Sequence, residues 1–268
     1  MPYEKSPEQR AIDWGKIIET ALTAPGNVGN TYNRFYNYSF LNQMYLRMQG
    51  VAEPVATLKR WNAIGHTILK GSRAYEIIKP IIIKQENEQG EPEPVIVGFK
   101  PVRCIFTLSQ TKGEELPPVQ LPEWDLDATL ATLNIRQMPF NELNGNMQGY
   151  SRGRDMAINP IAVNPAKTRF HEIGHIVLGH TLPESLEEYS THRGVFEFQA
   201  ETTAYLAMNE LGKLDEETAT RSRGYVHSWL EGERPPDKAI RQVFAATDQI
   251  LKAGRLAIGE IINGEEIG

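Results

Sequence analysis

Residues 165–181 read Pro-Ala-Lys-Thr-Arg-Phe-His-Glu-Ile-Gly-His-Ile-Val-Leu-Gly-His-Thr. The stretch predicts a helix from about Pro165 to Gly179, and the rest of the domain has to be arranged around it. Two histidines four residues apart on a helix lie ~40° apart around its axis, so His171 and His175 can reach one ion. Glu172 sits ~100° round from His171 and can point at a water held on that ion. A carboxylate there suits a general base that takes the water's proton and later hands it to a leaving amine. Ile173, Ile176, Val177 and Leu178 make the remainder apolar, as a helix buried in an active-site core requires. Gly174 is small enough to let a neighbouring element pack closely.

Two imidazoles need a third protein ligand, and zinc then keeps a fourth position open. The third histidine of the longer zinc motif would fall ten residues after His171, where Thr181 stands. His180, nine residues on, would face about 180° away if the helix continued. The remaining candidates are carboxylates on the next predicted helix, from about Val195 to Leu211. Glu197 and Glu201 lie four apart on one face, and Glu201 is the favoured ligand because Ala200, Thr202, Thr203 and Ala204 around it permit close helix approach. His192 reads as a loop residue. Tyr150, Tyr205, Tyr225 and His227 are candidates to polarise a substrate carbonyl, and nothing in their spacing selects one. The strand near Met147–Ile158 offers an edge to an extended peptide.

The 268 residues allow two domains, and 40 % hydrophobic with 23 % charged residues is an ordinary globular balance. The single cysteine, Cys104, forbids an intrachain disulfide and a cysteine-rich zinc finger, and reads as a small buried hydrophobe in a strand. The opening residues Met-Pro-Tyr-Glu-Lys-Ser-Pro-Glu-Gln-Arg lack an apolar stretch, and no window approaches a membrane span. The expected location is therefore the cytoplasm, away from membranes. The net charge of -6 is uneven: residues 1–120 carry a net of +2, residues 121–268 a net of -8, and residues 31–80 a net of +5. The basic window could attract a polyanion that the acidic half would repel.

Along the first half, Ser6-Pro7-Glu8-Gln9 starts a helix whose apolar face is Ile12, Ile17, Ile18 and Leu22, with Trp14 nearby, stopped by Pro25-Gly26. A second helix is predicted over Phe40–Met48, and Thr57 caps a short turn through Lys59-Arg60-Trp61, ended by Gly65. Tyr75–Lys84 and Val95–Leu108 form a hairpin with a long acidic tip, in which Pro80 and Pro101 sit at an edge or a bulge. The proline-rich residues 111–124 mark the domain boundary, giving domains 1–118 and 125–268. The second domain adds a helix near Asp127–Leu133 and strands near Ile135–Phe140 and Met147–Ile158. Two further helices open at Asp215 and at Pro235-Pro236-Asp237.

Both halves resemble the ArdC antirestriction family of conjugative plasmids and phages. The matching runs are HEIGHIVLGHT (His171–Thr181), FQAETTAYL (Phe198–Leu206) and GYVHSWL (Gly224–Leu230). In the first half they are SFLNQMYL (Ser39–Leu46), TLKRWNAIGHTILKGSRAYEIIKPI (Thr57–Ile81) and FKPVRCIFTLSQTKGEELP (Phe99–Pro117). The metal motif is common to many peptidases, so the N-terminal runs discriminate. The resemblance implies an α+β protein: a small mixed α/β single-stranded-DNA-binding domain, then a mainly helical zincin-like metallopeptidase domain with a short sheet. The latter is also similar to Spartan-type proteases. By position it implies Zn2+ on His171, His175 and Glu201, with Glu172 as the base.

For the first domain the residues themselves offer Tyr32, Phe35, Tyr36, Tyr38 and Phe40 interleaved with Arg34, followed by Arg47, Lys59, Arg60, Trp61, Lys70 and Arg73. Aromatic faces stack on unpaired bases, and cations track phosphates. The expected partners are single-stranded DNA, double-stranded DNA as a further possibility, and a protein or peptide substrate. The leading function is a zinc peptidase joined to a DNA-binding module that protects a mobile element from restriction. A rival is a DNA-binding shield whose zinc site is structural or regulatory. A third is a peptidase that cleaves a repressor.

Overall fold

In the computed structural model, residues 12–23, 38–87, 90–116, 123–142, 146–231 and 235–255 are described, with the backbone alone at 186–192, 225, 227 and 229–231. The helix start at Ser6, the residues Tyr32, Arg34, Phe35 and Tyr36, and the last thirteen residues fall outside these ranges. The chain divides into two compact units. The first holds described residues up to Thr20 and from 38 to 116; the second holds Ala21–Thr23 and the described residues from 123 onward.

The helix α1 (Trp14–Thr23) has residues 14–20 in the first unit, where Trp14 is edge-on to Phe99 at 5.8 Å, and its last three residues in the second. α2 (Phe40–Met48) has the bounds its apolar spacing predicts, with Ser39 as its N-cap. β1 (Val55–Thr57) leads into α3 (Leu58–Ala63), and the Thr57 hydroxyl accepts from the Arg60 amide. β2 (Thr67–Ile68) follows, then the long hairpin of β3 (Tyr75–Glu86) and β4 (Pro92–Thr107). The strands run further into the acidic tip than expected. β5 (Thr111–Lys112) pairs with β2, so the start of the proline-rich stretch is a strand of this unit.

The sheet order β1-β4-β3 leaves β3 at an edge, and exposed strand edges invite unwanted pairing. Two amide side chains, one in α2 and one at its C-cap, cover it. Asn42 donates to the Ile78 carbonyl at 3.0 Å and accepts from its amide at 2.7 Å. Gln49 does the same to Glu76, at 2.8 and 2.9 Å. Pro80 lies on this edge strand, one residue from a register shift at Ile81/Ile82. Pro101 sits on β4 beyond the reach of β1, where a missing amide costs no ladder bond on that side. Leu46, Val51, Ile77 and Ile105 form the core here, with Cys104 half-buried beside them.

The second unit is mainly helical. α4 (Leu126–Thr132) is capped by Asp125. β6 (Arg136–Gln137), β7 (Gly149–Arg152) and β8 (Asp155–Ile158) form a sheet of order β6-β8-β7. The single strand expected over Met147–Ile158 is thus a hairpin, turned at Gly153 with φ +57°. α5 (Pro165–Val177) carries the histidine motif, with Asn164 as N-cap and Pro165 at the first position. α6 (Leu186–Glu210) starts some nine residues before the expected Val195, so His192 lies in a helix rather than a loop. α7 (Glu216–Glu231) and α8 (Asp237–Ala253) complete the unit. Phe170, Ile173 and Ile176 of α5 share a core with Ala204, Ala207 and Met208 of α6, and with Ile250 of α8. Each large aliphatic side chain so buried contributes about 1.5–3 kcal/mol. Among the described residues no helix is long and apolar enough to cross a membrane.

α5 and α6 meet at Gly174. A Cβ placed there would stand 3.1 Å from the Ala200 carbonyl oxygen and 3.3 Å from its Cα. These are backbone atoms in a helix and cannot swing aside. Gly174→Ala gains about 1 kcal/mol of helix propensity but incurs an overpacking cost of about 1–3 kcal/mol. We expect a net loss of up to about 2 kcal/mol in urea denaturation. A variant as stable as the parent would show that the helices separate freely.

Candidate metal centre

The short approach at Gly174 sets the histidines of α5 against the carboxylates of α6. His171 Nε2 and His175 Nε2 are 3.1 Å apart. Oε2 of Glu197 lies 3.4 Å from the first and 3.8 Å from the second. His171, His175 and Glu197 thus bring one ligand atom each within 4.8 Å of one another, the one such group among the described residues. Two imidazole nitrogens and one carboxylate oxygen are a donor set that suits a divalent ion of the zinc type.

Glu201, the carboxylate favoured from sequence, occupies a different place. Its Oε1 is held by Lys167 Nζ at 2.7 Å and by the Ser222 hydroxyl at 2.8 Å. Its Oε2 lies 3.4 Å from the other nitrogen of His171, Nδ1. That nitrogen is buried and makes no aligned hydrogen bond, so the pair attract as charges rather than as a formed hydrogen bond. Glu201 therefore stands behind His171, and Glu197 stands in front of it. Both carboxylates share a helix face, as their spacing required. The axial offset of α5 against α6, which neither helix encodes alone, decides which one meets the Nε2 atoms.

The charges explain themselves. Burial would lower the His171 pKa, but Glu197, Glu201 and Glu172 together outweigh it and raise it to about 9. Burial would raise Glu201, yet His171, Lys167 and Ser222 bring it down to about 2. Glu172 is buried, and its Oε2 accepts from the Ser151 hydroxyl of β7 at 2.6 Å. The base candidate is thus tied to the edge strand of the sheet.

His180 was expected to face away, and it does not. α5 ends at Val177, and Gly179 adopts φ +79°. The His180 amide returns to the His175 carbonyl at 3.0 Å and the Gly179 amide to the Ile176 carbonyl at 3.2 Å. These two bonds are a Schellman closure, which folds the residue after the glycine back onto the helix's last turn. His180 Nδ1 consequently lies 3.0 Å from His175 Nδ1. Burial first, and then His175, lower its pKa to about 4. The glycine after Leu178 was the available signal.

Other expectations divide. Tyr205 is 2 % exposed with its hydroxyl bonded to the Leu22 carbonyl, so it is a core residue and cannot polarise a substrate. Tyr150 is half-buried on β7, beside Phe140 and under Arg152. The side chains of His192, Tyr225 and His227 fall outside the described residues. In the first unit Lys59, Arg60, Lys70 and Arg73 are exposed and Arg47 is half-buried. Trp61 is a correction: it is 2 % exposed, bonded through Nε1 to the Phe106 carbonyl, and packed on His66, so it cannot stack on a base. Phe40 is fully buried and serves the core as well.

No protein-family model matches the chain, and no curated protein matches its sequence. Among solved structures it is similar to the metal-free crystal structure of the antirestriction protein ArdC from plasmid R388. The TM-score is 0.52 at 20 % identity, covering 91 % of this chain and 96 % of that one. The Mn(II)-bound structure of the same protein matches with TM-score 0.52 at 18 % identity, covering 91 % and 98 %. Identity so low speaks for the backbone alone: over nine-tenths of its length, this chain has the α+β fold of ArdC.

Proposed function

We propose that the protein is a zinc metallopeptidase joined to a DNA-binding unit, acting in the cytoplasm as an antirestriction protein of a mobile element. The observation that carries this reading is the meeting of His171 Nε2, His175 Nε2 and a Glu197 oxygen, with Glu172 buried one residue away. A structural zinc site has a closed shell of four protein ligands and no use for a general base. Here three ligands meet beside a carboxylate. Zinc held by them would supply Lewis acidity, making water a nucleophile at neutral pH and polarising the scissile carbonyl.

The protein's own groups do the rest. Glu172 takes a proton from the attacking water and delivers it to the departing amine. The Ser151 hydroxyl, on Glu172 Oε2, holds that carboxylate in place. Among the described residues β7 pairs with β8 alone, so its other edge can receive an extended peptide as an added strand. Ser151 belongs to that strand, which sets such a peptide next to the base. Glu201, fixed by Lys167 and Ser222, orients His171 from its Nδ1 side, the usual role of a carboxylate behind a ligating imidazole.

For the first unit, exposed Lys59, Arg60, Lys70 and Arg73, with Arg47, support binding of single-stranded DNA through its phosphates. The likeness to ArdC supplies the antirestriction setting.

Glu172→Gln should keep zinc and lose about 10²–10⁴-fold of peptide cleavage, followed with a quenched peptide library; undiminished turnover would remove Glu172 as the base. A wild-type protein that binds zinc and DNA but cleaves nothing would favour the shield. Glu197→Ala should abolish stoichiometric zinc binding, whereas Glu201→Ala should weaken it about 10–100-fold. The opposite order in metal analysis returns the ligand role to Glu201. Affinity for an oligonucleotide should fall steeply between 50 and 200 mM salt, because phosphate contacts release about one counterion each. A flat salt response would contradict phosphate binding.

A further inference from the structure

His180 takes no part in the ligand cluster, yet it is 5 % exposed and satisfied at both ring nitrogens. Its ring lies flat on Phe196, centroids 4.2 Å apart and planes 7° apart. Its Nε2 is 3.1 Å from Gln199 Oε1. The orientation of that amide is fixed from beyond. Gln199 Nε2 faces the Ala239 carbonyl at 3.4 Å and Gln242 Oε1 at 3.0 Å. A backbone carbonyl only accepts, so the Gln199 NH2 points at it and the oxygen points at His180. His180 Nε2 therefore carries a hydrogen.

Its other nitrogen faces His175 Nδ1 across 3.0 Å, a gap that holds one proton. A buried neutral His180 already protonated at Nε2 offers only a lone pair at Nδ1. The proton between the rings then belongs to His175. A ring that donates from Nδ1 presents a lone pair at Nε2, the atom that faces His171 and Glu197. The reverse arrangement would require a charged His180 inside the packed core, which burial disfavours. It would also put a hydrogen on the nitrogen that has to bind metal.

We propose that Gln199 and His180 form a relay that locks His175 in its Nδ1–H tautomer and so holds Nε2 ready for the metal. The relay starts at the backbone of α8, passes through α6 and the Schellman turn, and ends at the ligand. Free histidine in water prefers the other tautomer, so without the relay His175 has to exchange its proton before it can bind. His180 is a positioning residue, neither a ligand nor a group that meets substrate. The proposal rests on reading His175 as a ligand.

The test begins with the metal-free wild-type protein. Long-range 1H–15N correlations of the imidazoles should show His175 protonated at Nδ1 and His180 at Nε2. A hydrogen on His175 Nε2 overturns the relay, whether or not the protein binds metal. Zinc affinity is then measured by competition with a chromophoric chelator. His180→Ala should weaken it about 10–100-fold, and His180→Asn, whose Oδ1 replaces the accepting Nδ1, should restore it to within a few-fold of wild type. A His180→Ala protein that binds zinc as tightly as wild type overturns the relay and leaves the metal site standing. A wild-type protein that shows the expected tautomers but binds no zinc overturns the metal site and leaves the hydrogen-bond relay standing. If His180→Ala does not fold, the wild-type spectra alone decide.

Discussion

Two helices can bring their side chains to one point only if their backbones come close, and a missing Cβ is what permits that here. Gly174 lies so close to the Ala200 backbone that an added Cβ would stand 3.1 Å from its carbonyl oxygen and push the helices apart by a few tenths of an ångström. Around the contact, Ala200, Thr202, Thr203, Ala204 and Ala207 are buried and small. The apolar face of α5 seals one side of the helix pair into the core. The other face then brings His171, His175, Glu197 and Glu201 together. Four ionisable groups in partly buried surroundings are costly unless they are paired. Their pairing fixes the polarity of the site: Glu197 on the Nε2 side, and Glu201, held by Lys167 and Ser222, on the Nδ1 side.

The site is held by layers that differ in kind. Glu197 and the two imidazoles form the cluster. Behind His171 stands an ionised carboxylate with two further partners. Behind His175 stands a neutral ring with an amide behind it. The two histidines of one motif are thus supported by opposite chemistry, one by charge and one by directed hydrogen bonds. Glu172 is supported from a third direction, by a hydroxyl on the strand. Glu201 comes from α6, His180 from the turn after α5 and Ser151 from β7, so the site depends on several elements of the second unit being assembled.

What sequence shows of this is local. α2 and the Thr57 cap have the bounds that apolar spacing and a capping residue predict, because both signals lie within a few residues of their effect. The motif helix and its histidine pair are legible for the same reason. Which of Glu197 and Glu201 faces the Nε2 atoms is not, since it depends on the axial offset of one helix against another. His180 was misplaced by extending a helix through Leu178-Gly179, although a glycine there is the ordinary sign of a left-handed stop. Trp61 shows the opposite weakness. An aromatic residue between cations reads as a base-stacking platform, and only the sheet packed above it shows that it belongs to the core.

The most direct measurement is a crystal structure of the protein grown with zinc, with the ion located by anomalous scattering. The account places the ion on His171 Nε2, His175 Nε2 and Glu197, at about 2.0–2.2 Å, with an open position beside Glu172. An ion bound through Glu201 instead, or one enclosed by four protein ligands, would contradict it.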